Sequence, residues 1–222
     1  MVIKFFNDAE RMEKLIGILL AGLEVTGRIF ALTLLISIPL GIIVALGRMS
    51  KVRVIRWPIS IYIYIMRGTP LMLQVLFFYF LLPKVVPIRL DRFWWVIVAF
   101  AVNYAAYFAE IFRGGIQSIS DGQSEAGQVL GFTKMQVFMR IVLPQAFKRV
   151  VPPVTNEVIT LVKDTALASI IAVEDLMTKA KGQVSSSGSV EPYLVAAIIY
   201  LIVNGIVEQA CRYLERRLNY YK

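Results

Sequence analysis

The chain has 222 residues, of which 58% are hydrophobic and 18% charged, with a mean hydropathy of +0.67 and a formal net charge of +9. This composition excludes a soluble domain built around one buried core and indicates an integral membrane protein. Because the basic residues are dispersed between apolar runs, they indicate loops facing a cytoplasm, and no nucleic acid is expected as a partner.

Few residues are of the kinds that enzymes use in their sites. One cysteine, Cys211, and no histidine occur, which excludes an internal disulfide and any histidine-bearing metal or catalytic site. Neither a GxxxxGK[ST] phosphate loop nor a Rossmann glycine fingerprint is present, so any ATP chemistry must come from a partner. We therefore predict no catalytic residue, no metal and no cofactor in this chain, which disfavours a membrane-embedded protease or lipid-modifying enzyme.

The first predicted membrane segment covers residues 15–46 and follows an amphipathic surface segment, residues 1–14. At about 1.5 Å per residue this apolar run exceeds a hydrocarbon core of about 30 Å, so the helix must tilt or project. It is too long for a signal-peptide core and is interpreted as a retained anchor. Glu24 and Arg28 lie four residues apart and are expected to pair, and Pro39 predicts a kink.

A basic junction from Arg48 to Arg56 leads into the second predicted segment, residues 57–82. Within it, Pro70 follows Arg67 by three residues at membrane depth, which predicts a locally broken helix. Residues 83–92 predict a short external loop that begins at Pro83.

The third predicted segment, residues 93–115, and the fourth, residues 150–173, each place polar residues on one helical face. These residues are Asn103, Tyr107 and Glu110 in the third segment and Glu157, Thr160 and Asp164 in the fourth. A serine-rich external loop, residues 174–191, precedes the fifth segment, residues 192–210. Gly114, Gly115 and Gly205 would permit close helix contact.

Residues 117–149 form the one long polar interruption of this apolar sequence. Ser120 with Gln123, and Thr133 with Gln136, each predict a capping box that starts a helix. Gly131 suits the left-handed residue between the two helices, and Pro144 predicts the end or a kink of the second. The pattern predicts a helix, a tight glycine turn and a helix.

Five segments place the two ends of the chain on opposite sides of the membrane. An N-terminus outside and a C-terminus in the cytoplasm put the excess of lysine and arginine inside. The predicted fold is therefore an all-α integral membrane protein of about five transmembrane helices, with a cytoplasmic two-helix loop between helices 3 and 4.

The order Glu125-Ala126-Gly127, then Gly131, then Ile141-Val142-Leu143-Pro144 resembles the "EAA" coupling loop of ABC importer permeases. Gly127 departs from the alanine usual in that family and should loosen the short helix by about 1 kcal/mol or less. The runs 67–74, 104–116 and 163–169 are similar to the polar amino acid branch of these permeases.

The resemblance implies that residues 1–222 are a single ABC transporter transmembrane domain in a prokaryotic inner membrane. It implies partners: two ATP-binding cassette subunits that bind ATP and Mg, a second permease subunit, identical or different, and an extracytoplasmic amino-acid-binding protein. The coupling residues that it implies are Glu125, Ala126, Gly127, Gly131, Ile141, Leu143 and Pro144.

The six polar residues of the third and fourth segments are the candidate substrate site. An ionised carboxylate in hydrocarbon costs at least about 2.5 kcal/mol, so Glu110, Glu157 and Asp164 imply a cavity or cationic partners. Carboxylates facing a cavity suit an amino acid with a basic side chain. Purely structural roles remain open: Glu110 paired with Arg113 or Arg67, Asp164 paired with Lys163, and Tyr107 and Asn103 as interhelical hydrogen-bonding groups. Arg67 could meet a substrate carboxylate or fix the broken helix.

The main competing interpretation is a secondary transporter or channel that works without ATP. Such a protein needs a complete pathway in one chain and usually shows internal repeats, which we do not detect.

Overall fold

The structure, a computed structural model, describes residues 9–218 and is helical throughout, with no strand within that range. Its helices are α1 Ala9–Arg48, α2 Arg53–Gly68, α3 Leu71–Val85, α4 Arg92–Gln117, α5 Asp121–Val129, α6 (Lys134–Val137, Phe138–Val142 and Leu143–Asp164 in one run), α7 Leu176–Ser187 and α8 Glu191–Leu218. A 3₁₀ helix, Thr165–Ile171, follows α6. The all-α prediction agrees with this architecture. The start of the predicted surface segment, residues 1–8, lies outside the described residues.

Three of the described helices, α1, α4 and α8, are long and apolar enough to cross a membrane, and α2 with α3 would make a fourth crossing as a bent pair. The fourth segment predicted from sequence corresponds to the second half of α6 and the 3₁₀ helix after it. That stretch is more polar than the others, since Leu143–Asp164 carries Lys148, Arg149, Glu157, Lys163 and Asp164. A crossing by α6 stays a prediction.

Helix α1 spans 40 residues, about 60 Å at 1.5 Å per residue, and Pro39 lies inside it without ending it. Its buried face is rich in small residues, which let other helices approach closely. A Cβ at Gly41 would lie 2.7 Å from Cβ of Phe108 in α4, and one at Gly22 would meet the start of α7. The predicted ion pair of Glu24 and Arg28 is confirmed on the opposite, exposed face.

Helix α4 lies at the centre of the bundle and contacts α1, α2 and α6. Its aromatic residues Phe100, Tyr104 and Phe108 are buried in the main hydrophobic core. Of the glycines predicted to permit close contact, Gly115 does so, because a Cβ there would lie 2.2 Å from a methyl group of Val150 in α6. Gly114 and Gly205 face open space in the described chain.

The predicted break in the second segment is confirmed, because α2 and α3 meet at an angle of 112°. The segment is thus two helices, which begin at Arg53 and Leu71 rather than forming one helix from residue 57. Pro70 stands at the start of α3, where its missing N–H removes no helical hydrogen bond.

Two buried amides satisfy the carbonyl groups that this break releases. Gln74 Nε2 donates to the carbonyl of Met66 at 2.9 Å, to the carbonyl of Thr69 at 3.1 Å and to the Thr69 hydroxyl at 2.8 Å. Asn103 Nδ2 of α4 donates to the same Met66 carbonyl at 3.1 Å and to Gln74 Oε1 at 2.8 Å. The break is therefore fixed to the central helix by hydrogen bonds.

Two prolines predicted as helix boundaries lie inside helices. Pro83 and Pro144 each follow a π-helical turn, Phe77–Leu81 and Phe138–Val142 respectively. In these turns the N–H groups of Leu82 and Leu143 bond to carbonyls five residues earlier, which shifts the hydrogen-bond register just before each proline. Helix α3 consequently continues to Val85, and the connection to α4 is shorter than predicted.

Replacing Gln74 by leucine should destabilise the break, because it leaves buried carbonyls unpaired in a site that excludes water. We expect a loss of roughly 1–2 kcal/mol in the free energy of unfolding. Thermal unfolding in detergent measures the loss, with exposed Gln128→Leu on α5 as the control. Equal melting temperatures for the two variants would show that the amide does not hold the break.

Candidate functional site

The polar loop between α4 and α6 folds as a short helix closed by a glycine turn. Ser120 Oγ accepts the N–H of Gly122 at 3.3 Å and starts α5. Ser120 thus caps the helix, but the predicted capping box does not form, because Ser120 bonds Gly122 rather than Gln123 and the Gln123 side chain accepts from Gln145 Nε2 of α6 at 3.4 Å. Gly131 is left-handed as predicted, with φ +83°.

The hydrogen bonds at the end of α5 form a Schellman motif. Phe132 N–H donates to the carbonyl of Gly127 at 3.0 Å, and Gly131 N–H donates to that of Gln128 at 2.9 Å. The turn is thereby tied to α5 at two points.

The capping box of Thr133 and Gln136 is confirmed in both directions, at 2.9 and 3.3 Å. The helix that it starts does not end at Pro144, because α6 runs on to Asp164. The second helix of the predicted pair is therefore the first part of α6, and the π turn at Phe138–Val142 explains why the proline does not terminate it.

Gly127 lets α5 lie close to α6. A Cβ at this buried position would be 2.8 Å from Cδ1 of Ile141 and 2.9 Å from Cγ2 of Val137. Beneath this contact lies a small core of Ile119, Val137, Val142 and Ala146. The glycine has a packing role that its helix propensity alone does not indicate.

The outer side of the loop presents an apolar surface around an acidic residue. Glu125 and Ala126 are exposed on α5, and Glu125 forms no ion pair within residues 9–218. Ile141 and Leu143 are half-buried and Pro144 is exposed. Beside them lie exposed Val129, Leu130, Met135 and Met139. Sequence reasoning missed Val129 and Leu130, although two apolar residues ending a polar helix signal a contact surface.

A second polar region surrounds Glu110 of α4. Arg113 forms a bidentate ion pair with its carboxylate, in which Nε and Nη2 donate to the two oxygens at 3.0 and 2.6 Å. Arg48 of α1 and Arg67 of α2 each approach to 3.8 Å. Both pairings left open by the sequence, with Arg113 and with Arg67, therefore occur. Arg48 was expected only in a basic junction.

This charged cluster borders a cavity of about 750 Å³ between α1, α2 and α4. The guanidinium carbon of Arg67 lies 5.3 Å from the ring centroid of Tyr107, within cation–π distance. The other polar residues of the wall are Arg48, Ser60, Tyr64 and Glu110. Two predicted site residues, Tyr107 and Glu110, thus share one cavity with two arginines.

The remaining candidates lie elsewhere. Asp164 accepts a hydrogen bond from the buried Tyr104 hydroxyl at 2.8 Å, and this tyrosine was missed. Glu157 is half-buried and Thr160 exposed on the same helix. Asn103 does not join them, because its amide is bonded at the α2–α3 break, which is one of the interhelical roles that the sequence left open.

Comparisons with known proteins agree on one class. The profile of the family described as binding-protein-dependent transport system inner membrane component matches residues 37–220. The arginine transport system permease protein ArtQ of Bacillus subtilis (strain 168) is 36% identical over 91% of this chain and 93% of that protein. The L-cystine transport system permease protein TcyB of the same strain is 39% identical over 92% of this chain and 88% of that protein.

Solved structures show the same fold. A crystal structure of an amino acid ABC transporter with histidines superposes with a TM-score of 0.88 at 34% identity, covering 95% of this chain and 98% of that one. The inward-facing MetNI methionine ABC transporter superposes with a TM-score of 0.72 at 19% identity, covering 96% and 99%, and shares the fold.

Substituting Gly127 by alanine should push α5 away from α6, because the stiff β-branched Val137 cannot rotate out of the way. We expect faster hydrogen exchange at residues 121–130, measured by mass spectrometry, and recovery when Val137→Ala is added. Gly122→Ala is the matched control, since its Cβ would meet nothing closer than Ser120 Oγ at 3.5 Å. If both alanine variants exchange alike, the close contact is not what holds α5.

Proposed function

The chain belongs to the family of inner membrane components of binding-protein-dependent transport systems, the permease subunits of ABC importers, and from this we propose that it forms the translocation pathway of an ATP-driven importer of a polar, basic amino acid. The observation that carries the proposal is the helix and glycine turn at residues 120–133, fixed to a polar-lined helix bundle and rimmed by exposed apolar residues. No nucleotide-binding motif accompanies it in the sequence.

In the proposed topology α6 makes the fourth of five crossings and residues 1–222 are one transmembrane domain. The N-terminus lies outside a prokaryotic inner membrane and the C-terminus in the cytoplasm. The excess of lysine and arginine in the loop and at the end of α8 supports this orientation. It places α5 and its glycine turn on the side where ATP is available.

The loop would be the contact with a separate ATP-binding cassette subunit, which binds ATP and Mg. Glu125 and Ala126 supply exposed positions of α5, and Val129 and Leu130 add an apolar rim. Gly127, Gly131 and Ile141 keep α5 close to α6, and Leu143 and Pro144 carry the loop into α6. Closure of the ATPase pair would then displace α5 together with α6.

The substrate would contact polar residues of α4 and α6. Tyr107 and Glu110 line the cavity, while Glu157, Thr160 and Asp164 lie along α6. Asn103 would contribute by holding the broken helix beside the cavity. Carboxylates suit the ammonium group of an amino acid and a basic side chain, and one relative is named for arginine transport. Another relative is named for L-cystine transport.

A second permease subunit would complete the pathway. The cavity beside Arg67 and Tyr107 is open to the surface of this single chain. Polar groups at membrane depth need protein or water beside them, and another copy or a close relative supplies the missing wall. An extracytoplasmic amino-acid-binding protein would deliver the substrate from outside, in keeping with the name of the family.

Changing the loop should uncouple uptake from ATP hydrolysis. Gly131→Pro forces a negative φ where the turn needs +83°, and Glu125→Lys reverses a charge on the exposed face of α5. We expect both variants to reach the membrane while ATP-driven uptake in proteoliposomes falls at least about tenfold, as when an interface contact worth about 1.4 kcal/mol is lost. Lys51→Glu, outside the loop, is the control. Uptake at the unmodified rate in both variants would argue against the coupling role, and uptake without any ATPase subunit would favour a secondary transporter.

Neutralising the acids should weaken selection of basic amino acids. For Asp164→Asn and Glu110→Gln we expect competition by arginine, relative to glutamine, to fall about tenfold, because one opposite charge is removed from the pathway. Uptake competition measures the ratio, and Glu208→Gln, an exposed partner of Arg212 on α8, is the control. A ratio unchanged in both variants would assign these acids purely structural roles.

A further inference from the structure

A polar stripe on α6 is exposed in the described part of the chain. Asn156, Thr160 and Lys163 are spaced by four and three residues, so they share one helical face, and all three are exposed. Glu157 and Asp164 lie along the adjacent face and are half-buried. Lys163 forms no ion pair within residues 9–218.

The depth of this stripe decides what can lie against it. If α6 crosses the membrane from Val150, as the proposed function requires, Lys163 lies about 20 Å along a core of about 30 Å. A lysine stem can carry its ammonium some way toward a membrane surface, but Asn156 and Thr160 cannot follow it. All three would face hydrocarbon at high cost unless water or a second subunit covers them.

The charges around the stripe cancel only in part. Glu157 and Asp164 contribute two carboxylates on α6, and Lys163 is the cation nearest to Asp164 in sequence. Arg67 of α2 is already paired with Glu110, at 3.8 Å. The two acids of α6 are therefore offset by one lysine, so loss of Lys163 raises the net negative charge that a substrate meets.

We propose that Lys163 is a specificity-determining residue of the pathway: its ammonium faces the water-filled side of α6, offsets one carboxylate and limits the preference for cationic amino acids. This inference rests on the proposed function and assigns to Lys163 a role that the coupling loop and the acids do not cover. Because Lys163 offsets one of the two carboxylates of α6, a basic side chain is attracted by the remaining one and less strongly than it would be by both.

Direct binding to the permease tests the charge balance separately from the substrate selectivity of the binding protein. The permease with its ATPase subunit is placed in nanodiscs, and binding of L-arginine and L-glutamine is measured calorimetrically. For Lys163→Gln we expect the ratio of arginine to glutamine affinity to rise roughly tenfold, as for a unit charge about 10 Å away at an effective dielectric constant of about 20. Lys163→Arg should keep the original ratio, and Lys51→Gln is the control for a lost exposed charge.

Two outcomes overturn the proposal, and they are distinguishable. If the unmodified complex binds neither amino acid, the proposed function fails and this inference with it. If both bind and Lys163→Gln keeps the original ratio, the inference alone fails.

Accessibility provides a second measurement that does not depend on affinity. Cys211, which is buried, is the only cysteine, so Cys211→Ala gives a cysteine-free background. We expect Lys163→Cys in proteoliposomes to react with a membrane-impermeant cationic thiol reagent. Leu201→Cys on α8 should not react, because Leu201, which is 72% exposed, belongs to an apolar face that would lie in lipid. Equal lack of reaction at both positions would place Lys163 in lipid and overturn the proposal.

Discussion

The architecture depends on satisfying polar groups where no water is available to do so. At the sharp bend between α2 and α3 the helical ladder is interrupted, and the free carbonyls of Met66 and Thr69 would each cost free energy in a dry interior. Gln74 and Asn103 remove that cost by donating to them from two different helices. Since Arg67 lies at this bend, the same hydrogen bonds place its guanidinium over Tyr107 and beside Glu110.

The charged residues follow the same constraint in two different ways. Glu110 is almost surrounded by Arg113, Arg48 and Arg67, so its carboxylate connects three helices. Asp164 has a single tyrosine hydroxyl as its described hydrogen-bond partner, which leaves it more capacity to bind a cation. The region near the end of α4 is thus rich in positive charge, and the α6 face is rich in carboxylates. A zwitterionic molecule with a carboxylate and an ammonium group complements this arrangement.

Interactions within a few residues could be predicted from the sequence. The Glu24–Arg28 pair, the Thr133–Gln136 box and the turn at Gly131 each follow from spacing along one helix or turn. Contacts between distant parts of the chain could not, because periodicity gives a face but not the neighbour of that face. Tyr104 with Asp164 and Arg48 with Glu110 belong to this group. The sequence left open whether the helix ends or kinks at Pro144, because the π turn that lets α6 continue has no simple residue pattern.

The unbroken course of α6 limits how motion can pass along the molecule. From Lys134 to Asp164 the helix is about 46 Å long at 1.5 Å per residue. A stiff rod of that length that tilts by about 10° about its middle moves each end by about 4 Å in opposite directions. It can bend at the π turn at Phe138–Val142, close to the cytoplasmic end in the proposed orientation, and at Pro152 and Pro153 near its middle. A small displacement of the first turns would therefore reach the Asp164 end only as far as these positions resist bending, so their stiffness would set how much of the movement is passed on.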